Sequence, residues 1–314
     1  MRVLITGDRG FIGRHLLAEC VRRGYLADRL DTTVTPSQDC RLYFRSSKTR
    51  FDLVFHCAAT VGGRATIDGD PLAVATNLSL DAEMFNWALR TRPGRVVYFS
   101  SSAAYPVGLQ QATMLVGRKV RRTDGSTCTH FDDVPNTRRL SESDIRLDDI
   151  GRPDQTYGWA KLTGEMLAEH VNDAGIPVHV FRPFSGYGSD QSPDYPFPAF
   201  IDRALRRADP FEIWGDGRQT RDFIHVDDIV AAVFTAVEQD VRGPVNLCTG
   251  RATTFDDLAY LVTGAAGYRP EFKYLPAAPT GVQHRVGDPT LMSSFYTPTV
   301  PLEEAIAPAL EDRA

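Results

Sequence analysis

Residues 1–24 read MRVLITGDRGFIGRHLLAECVRRG. The run RVLIT is short, apolar and β-branched and meets Gly7, the pattern of a strand buried on both faces of a parallel sheet. From Gly10 onward the apolar residues fall at helical spacing, and Gly24 supplies a C-cap signal. Gly7, Gly10 and Gly13 form a GxxGxxG pattern across the turn, with Phe11 and Ile12 inside it. Glycines at such a turn let the main chain approach a pyrophosphate, whose charge is favoured at a helix N-terminus. A glycine triplet alone is a weak signal. With a strand before it and a helix after it, at the first βα turn, it predicts a dinucleotide site rather than close packing alone.

The same alternation continues downstream. FDLVFHCAA (51–59), GRVVYFSSS (94–102) and GIPVHVFRP (175–183) read as further buried strands, and PLAVATNLSLDAEMFNWALRT (71–91) reads as a helix between two of them. Strands alternating with helices predict an α/β fold with a doubly wound parallel sheet. After FRPFSGYG (181–188) the chain turns rich in Pro and aromatic residues, then helical. This predicts a smaller, discontinuous lobe over 183–215 plus 251–314, with the nucleotide-binding domain over 1–182 plus 216–250. Residues 108–138 are polar and irregular and read as a lid, an interface arm or a tolerated insertion.

The type of cofactor depends on the end of the second strand. An acidic residue there accepts hydrogen bonds from ribose hydroxyls and repels the extra phosphate of NADP. Asp31 is the candidate and Asp28 its competitor, because the strand is poorly patterned. Arg9, inside the glycine loop, keeps NADP open as the alternative. NAD is the expected cofactor.

Composition narrows the class. The chain has 314 residues, 42% hydrophobic and 24% charged, with a net charge of −5. A nucleic-acid or membrane-surface role calls for basic patches, which an acidic balance disfavours, and the short basic run Arg118–Arg122 is expected to be a solvated loop. No apolar run is long enough to span a membrane. A strand directly after Met1 argues against a signal peptide. The five cysteines fit neither a disulfide framework nor a metal-ligand spacing. The expected setting is reduced and cytoplasmic, with no metal.

In DQTYGWAKLTGE (154–165), Tyr157 and Lys161 are four residues apart and share a helix face. Alone, that spacing is an ordinary surface pair. With a dinucleotide loop upstream it acquires a chemical sense. Oxidising a hydroxyl needs a base for the proton while a hydride leaves for nicotinamide. Lowering a tyrosine from its usual value near 10 to about 7 takes roughly 4 kcal/mol, for which an ammonium and a cationic ring are suitable sources.

Taken together, TGDRGFIG, HCAA, PLAVATNL, YFSSSAAYP, YGWAK, RPFSGYG and GDGRQTRDFIHVDDI resemble, in order, the motifs of the extended short-chain dehydrogenase/reductase family, in its nucleotide-sugar epimerase/dehydratase branch. The resemblance spans nearly the whole chain. It implies a Rossmann sheet with a small C-terminal substrate-binding lobe, a nucleotide-diphosphate sugar as substrate, and a homodimer formed through a helix pair. It implies that Tyr157 and Lys161 are the catalytic pair and that Ser101 is their hydroxyl partner. Ser102 lies beside the substrate, or with Ser100 satisfies main-chain groups at the strand end. Ala58 and Ala59 lie beside the cofactor, and Asn77 orients the helix behind it. Arg221 binds the substrate diphosphate, with Arg285 as a second phosphate contact or a structural residue. Asp222 and Asp227 buttress their loop, and Asp288 caps a turn.

Departures from the family pattern bear on the reaction. Dehydrating members place an Asp-Glu pair after the catalytic hydroxyl, and 3,5-epimerising members a Cys two residues before YP; here those positions are Ser102 and Ala103. This points to a 4-epimerase acting through a transient 4-keto sugar. The alternatives are a dehydratase or an NADPH-dependent 4-keto-sugar reductase, the latter suggested by VGGR (61–64) and Arg9. Ser185 replaces the usual substrate-contacting Asn, and Cys128 or His130 in the insertion could supply a relocated acid. A non-catalytic NAD-binding sensor is disfavoured because Tyr157 and Lys161 are both present.

Overall fold

The structure, a computed structural model, describes residues 1–30, 39–121, 127–146 and 148–314; for residue 30, 115–121 and 127–133 it describes the main chain alone. Asp31 and the side chains of Cys128 and His130 therefore lie outside the described residues. Six strands form one sheet: β1 (Arg2–Thr6), β2 (Leu26–Leu30), β3 (Leu53–His56), β4 (Arg95–Phe99), β5 (Val178–Pro183) and β6 (Gly243–Leu247). Their order is β6-β5-β4-β3-β1-β2 and every pairing is parallel. The direction of winding reverses beside β1. Strand carboxyl ends at such a reversal open a crevice, the usual ligand position in this architecture.

The longer helices are α1 (Phe11–Arg22), α2 (Pro71–Thr91), α3 (Gln155–Asp173), α4 (Pro196–Leu205), α5 (Val226–Glu238), α6 (Phe255–Ala265) and α7 (Leu302–Arg313). They explain why the strands read as continuous apolar runs. Val3, Ile5, Phe55, Val97 and Phe181 pack into a core with Leu16 of α1 and Ile229 and Val233 of α5. The alternate residues Leu4, Val54, Val96, Tyr98 and Val180 pack into a second core with Met84 and Trp87 of α2 and Ala168 of α3. Both faces are covered, so no polar alternation survives. A third core gathers Phe197, Phe200 and Ile201 of α4, Phe211, Leu258 of α6 and Ile306 of α7. The chain is thus an α/β protein with the doubly wound sheet expected from its sequence.

The expectation for 108–138 needs correction. Thr113–Arg121 and Thr127–Pro135 pair antiparallel as a hairpin, from Thr113 opposite Pro135 to Arg121 opposite Thr127. Its β-branched and polar residues alternate too irregularly for a period of two to stand out, so the strands read as loop.

A line of buried polar groups ties α2 to the sheet. The Tyr98 hydroxyl donates to Asp81 Oδ2 at 2.7 Å, Asp81 Oδ1 lies 3.2 Å from His56 Nε2, and His56 Nδ1 lies 2.8 Å from Thr6 Oγ1. Gly164 lets α3 pass directly over this line, because a Cβ there would run into the Tyr98 hydroxyl. Gly164→Ala is expected to destabilise the fold by about 1–3 kcal/mol through overpacking; a urea midpoint equal to that of the unsubstituted protein would count against this packing.

Candidate active site

The carboxyl ends of β1, β3 and β4 open onto a cavity of about 690 Å³, within the range of about 300–1,000 Å³ usual for ligand sites. Gly7, Gly10, Phe11, Ile12 and Gly13 line one side. Gly7 has φ +69°, and a Cβ there would lie 2.7 Å from the Ala58 nitrogen. A Cβ on Gly13 would strike the Gly7 carbonyl. Gly10 begins α1 with no side-chain cap, which leaves first-turn N–H groups for an anion. These features fit a dinucleotide pyrophosphate.

Around this loop, Ala58 and Ala59 line the cavity, and the Ala58 N–H donates to Thr6 Oγ1 at 3.2 Å. Asn77 does not line it. Asn77 is fully buried, and its amide both donates to the Thr60 carbonyl at 2.9 Å and accepts from the Thr60 N–H at 2.6 Å. It therefore holds the loop after β3 rather than the cofactor itself. Asp28, the competitor to Asp31, is ion-paired with Arg2 at 2.7 Å and lies outside the cavity lining.

Ser101, Tyr157 and Lys161 converge on the cavity. Burial pushes the Tyr157 phenol up to about 12, against which the Ser101 hydroxyl, within hydrogen-bond reach, and Arg285 pull it down. The Lys161 ammonium donates to the Phe99 carbonyl at 2.8 Å and sits 6.0 Å from the Tyr157 ring centre. Burial lowers the Lys161 pKa, with Asp81 opposing. Lys161 is thus anchored to the end of β4, just before Ser101, rather than bonded to the phenol.

Arg221 and Arg285 also line the cavity, joined by Arg64 and Asp154. Asp154 is buried and accepts from Arg64 Nη1 at 2.8 Å and Arg285 Nη2 at 2.7 Å. Burial raises the Asp154 pKa, but Arg285 and Arg64 outweigh it and hold the carboxyl below its usual value. Among the described residues Arg221 pairs with no carboxylate; it donates to the carbonyls of Thr220 and Thr280 and sits over the Phe255 ring. Burial, then the Arg285 and Arg64 guanidiniums, bring its pKa down to about 9. A buried cation held among other cations is an anion site in waiting.

Ser100, Ser102 and Ser185 all line the cavity, and the Ser100 hydroxyl is committed to Glu165. Asp222 buttresses its loop, accepting from the N–H groups of Thr249, Gly250 and Gly287. Asp227 does not; it faces His15 and His225. Its neighbour Asp228 takes the buttressing role, accepting from Tyr296, Thr299 and Val300. Asp288 caps its turn through Thr290.

Comparison with known proteins agrees with this geometry. Residues 3–248 match the model of the NAD dependent epimerase/dehydratase family. The chain belongs to that family. GDP-mannose 3,5-epimerase 1 of Oryza sativa subsp. indica is 26% identical over 98% of this chain and 80% of its own length. A dTDP-4-dehydro-6-deoxy-D-allose reductase of Streptomyces bikiniensis is 27% identical over 93% of this chain and 89% of its own. Among solved structures, MoeE5 in complex with UDP-glucuronic acid and NAD aligns with TM-score 0.75 and 28% identity, over 99% of this chain and 98% of that one. The Thermus thermophilus UDP-glucose 4-epimerase has TM-score 0.76 at 21% identity, over 99% and 98% of the two chains. Epimerases and reductases both stand among these relatives, so family membership leaves the reaction to be decided by the site.

Sequence patterning does not single out Asp154 in this family member. Its one signal was an Asp directly before a helix, which ordinarily reads as an N-cap. Its carboxylate instead leaves the helix terminus uncapped and serves the two arginines. Asp154→Ala leaves the buried Arg285 guanidinium without a carboxylate, while Arg64 keeps Asp68, and is expected to destabilise the fold by about 3–5 kcal/mol. Because the folded pKa is depressed, this contribution is present above the ordinary carboxylate range and lost as pH falls through the folded value. Urea titrations at neutral and acid pH check both: the deficit of Asp154→Ala narrows on acidification.

Proposed function

We propose that this family member is an NAD-dependent nucleotide-sugar 4-epimerase, acting in the cytoplasm as a homodimer. The observation that carries this reading is the set of proton-transfer groups on the cavity. Among the described lining residues the carboxylates are Asp154, committed to Arg64 and Arg285, and Asp194, an exposed residue bonded to Ser192. Dehydration or epimerisation at a carbon beside a ketone needs a further acid or base. Ser102 and Ala103 do not supply one. Cys57 and Tyr195 also line the cavity, but burial raises both and keeps them protonated. The remaining set is Ser101, Tyr157 and Lys161, which suffices for oxidation and re-reduction at one hydroxyl carbon.

NAD, when bound, supplies a hydride acceptor and the positive charge that this phenol lacks. The Gly7–Gly13 turn, with Ala58 and Ala59, would hold it. The Tyr157 oxygen takes the proton of the sugar hydroxyl and later returns it. The Ser101 hydroxyl bonds the same sugar oxygen and stabilises its developing charge. Arg221 and Arg285 take the diphosphate, for which guanidinium geometry is suited. The presence of a UDP-sugar and NAD in MoeE5 supports this substrate class. The reductase of Streptomyces bikiniensis and Arg9 on the cavity favour the second reading, net reduction with NADPH. Exposed Trp159 and Met166 on α3 and Leu78 on α2, helices packed on one face, support the dimer.

Five measurements test these statements. Nucleotide released from the denatured protein is expected to be NAD; NADP alone overturns the cofactor. NMR of a UDP-, GDP- and dTDP-hexose panel is expected to show a 4-epimer, and a dehydrated or net-reduced product replaces the reading. Tyr157→Phe should lower turnover by at least about 10²-fold with cofactor content unchanged. Because the base must be ionised, kcat/KM of the intact enzyme rises with pH until the Tyr157 pKa is passed. Sedimentation should give a dimer, shifted to monomer by Trp159→Glu with Met166→Glu.

A further inference from the structure

A second cavity, of about 480 Å³, adjoins the first. Arg64, Asp154, Gly281 and Val282 line both, so these residues are the wall between them. Asp154 immediately precedes α3 and Tyr157 lies in its first turn. The wall is therefore about one helical turn from the phenol, at the reacting end of a bound sugar.

The second cavity is built from chain segments that lead into site residues. Residues 107–111 follow the turn of Ser101, 152–155 precede Tyr157, and 281–283 precede Arg285. Main-chain bonds stitch these segments together: the Val107 N–H donates to the Arg152 carbonyl at 2.8 Å, and the Gln283 N–H to the Gln110 carbonyl at 3.2 Å. The cavity is thus preformed.

Its polar groups fall into two kinds. Arg64 is committed to Asp68 and Asp154, and Gln110 to Arg285 and the Tyr105 carbonyl. Among the described residues, the side chains of Arg152, Gln155 and Gln283, all lining the cavity, make no hydrogen bond or ion pair. Gln155 also holds φ +56°, a left-handed backbone that costs a non-glycine residue about 1–2 kcal/mol, with no compensating side-chain bond. Free amides donate and accept at once, which suits hydroxyl and amide partners. Two arginines face two carboxylates on the lining, so no net charge is selected.

The geometry points to a substrate subsite: the second cavity takes an uncharged, hydroxyl- or amide-bearing group, of about one sugar ring, carried on the hexose at its end remote from the nucleotide. This rests on the nucleotide-sugar reading above, and it makes the preferred substrate larger than a plain nucleotide hexose. Gln155, Gln283 and Arg152 would bond the added group, with the Arg64 side chain keeping its pairs to Asp68 and Asp154 along the wall.

The probes are UDP-, GDP- and dTDP-glucose and their 6-O-glucosyl derivatives, titrated calorimetrically into the holoenzyme. For the base that binds, the glucosyl derivative is expected to bind about tenfold more tightly, the gain of one or two hydrogen bonds. Gln283→Phe, which fills the cavity, and Arg152→Ala, a change at an exposed side chain, should each abolish most of that advantage. If plain nucleotide hexoses bind but the glucosyl forms bind no better, or if both variants retain the advantage, the subsite is overturned while the nucleotide-sugar reading stands. If neither form of any base binds, the nucleotide-sugar reading fails and the subsite with it.

Discussion

One carboxylate holds the reaction end of this molecule together. Asp154 receives Arg64 from the segment after β3 and Arg285 from the segment before α7, while its own N–H donates to the Ala103 carbonyl at 2.9 Å. Three parts of the chain far apart in sequence meet there, next to Tyr157. Removing water from three charges is expensive, and only mutual pairing with good geometry offsets it. The pairing is therefore nearly all-or-none, and it places Arg285 where its charge acts on the phenol.

The same economy of charge shapes the whole cavity. The chain carries a net charge of −5, yet among the described residues Arg9, Arg64, Arg203, Arg221, Arg285 and Lys161 face the cavity against Asp154 and Asp194. Positive charge concentrated in a crevice with low-dielectric walls focuses the field and draws in anions. The acidic exterior keeps such a protein from binding polyanions at large.

Much of this was legible in the sequence because it depends on local pattern. The strand, Gly7–Gly10–Gly13 and helix α1 are contiguous, and their physics is that of one turn. Tyr157 and Lys161 are contiguous in the same sense. Ser101, Ser102, Ser185, Arg221 and Arg285 all reach the cavity because they follow strand ends or strands that the fold brings there. What stayed hidden depends on pairing across the fold. Asp154 looks like a helix cap until Arg64 and Arg285 are seen on either side. Asn77 sits in a helix as expected, but its partner is the Thr60 main chain, which no spacing foretells. Asp227 and Asp228 are interchangeable in sequence, and only the position of Tyr296 and Thr299 decides which one buttresses. The strands 113–121 and 127–135 show no clean alternation in sequence, so their pairing could not be read from a period of two.

The tyrosine shows why the cofactor belongs to the chemistry and is more than a passive reagent. Protein groups alone leave the Tyr157 phenol near 12, since burial outweighs the Ser101 bond and the Arg285 charge. Lys161 donates to the Phe99 carbonyl and makes no hydrogen bond to the Tyr157 oxygen. A base in that state is almost wholly protonated at neutral pH. The missing stabilisation must come from a positive charge that arrives beside the phenol, and an oxidised nicotinamide ring carries one. On the proposed reading, burial keeps Tyr157 protonated until a cation is bound beside it, so that ionisation of the phenol would be tied to occupancy of the neighbouring cofactor site.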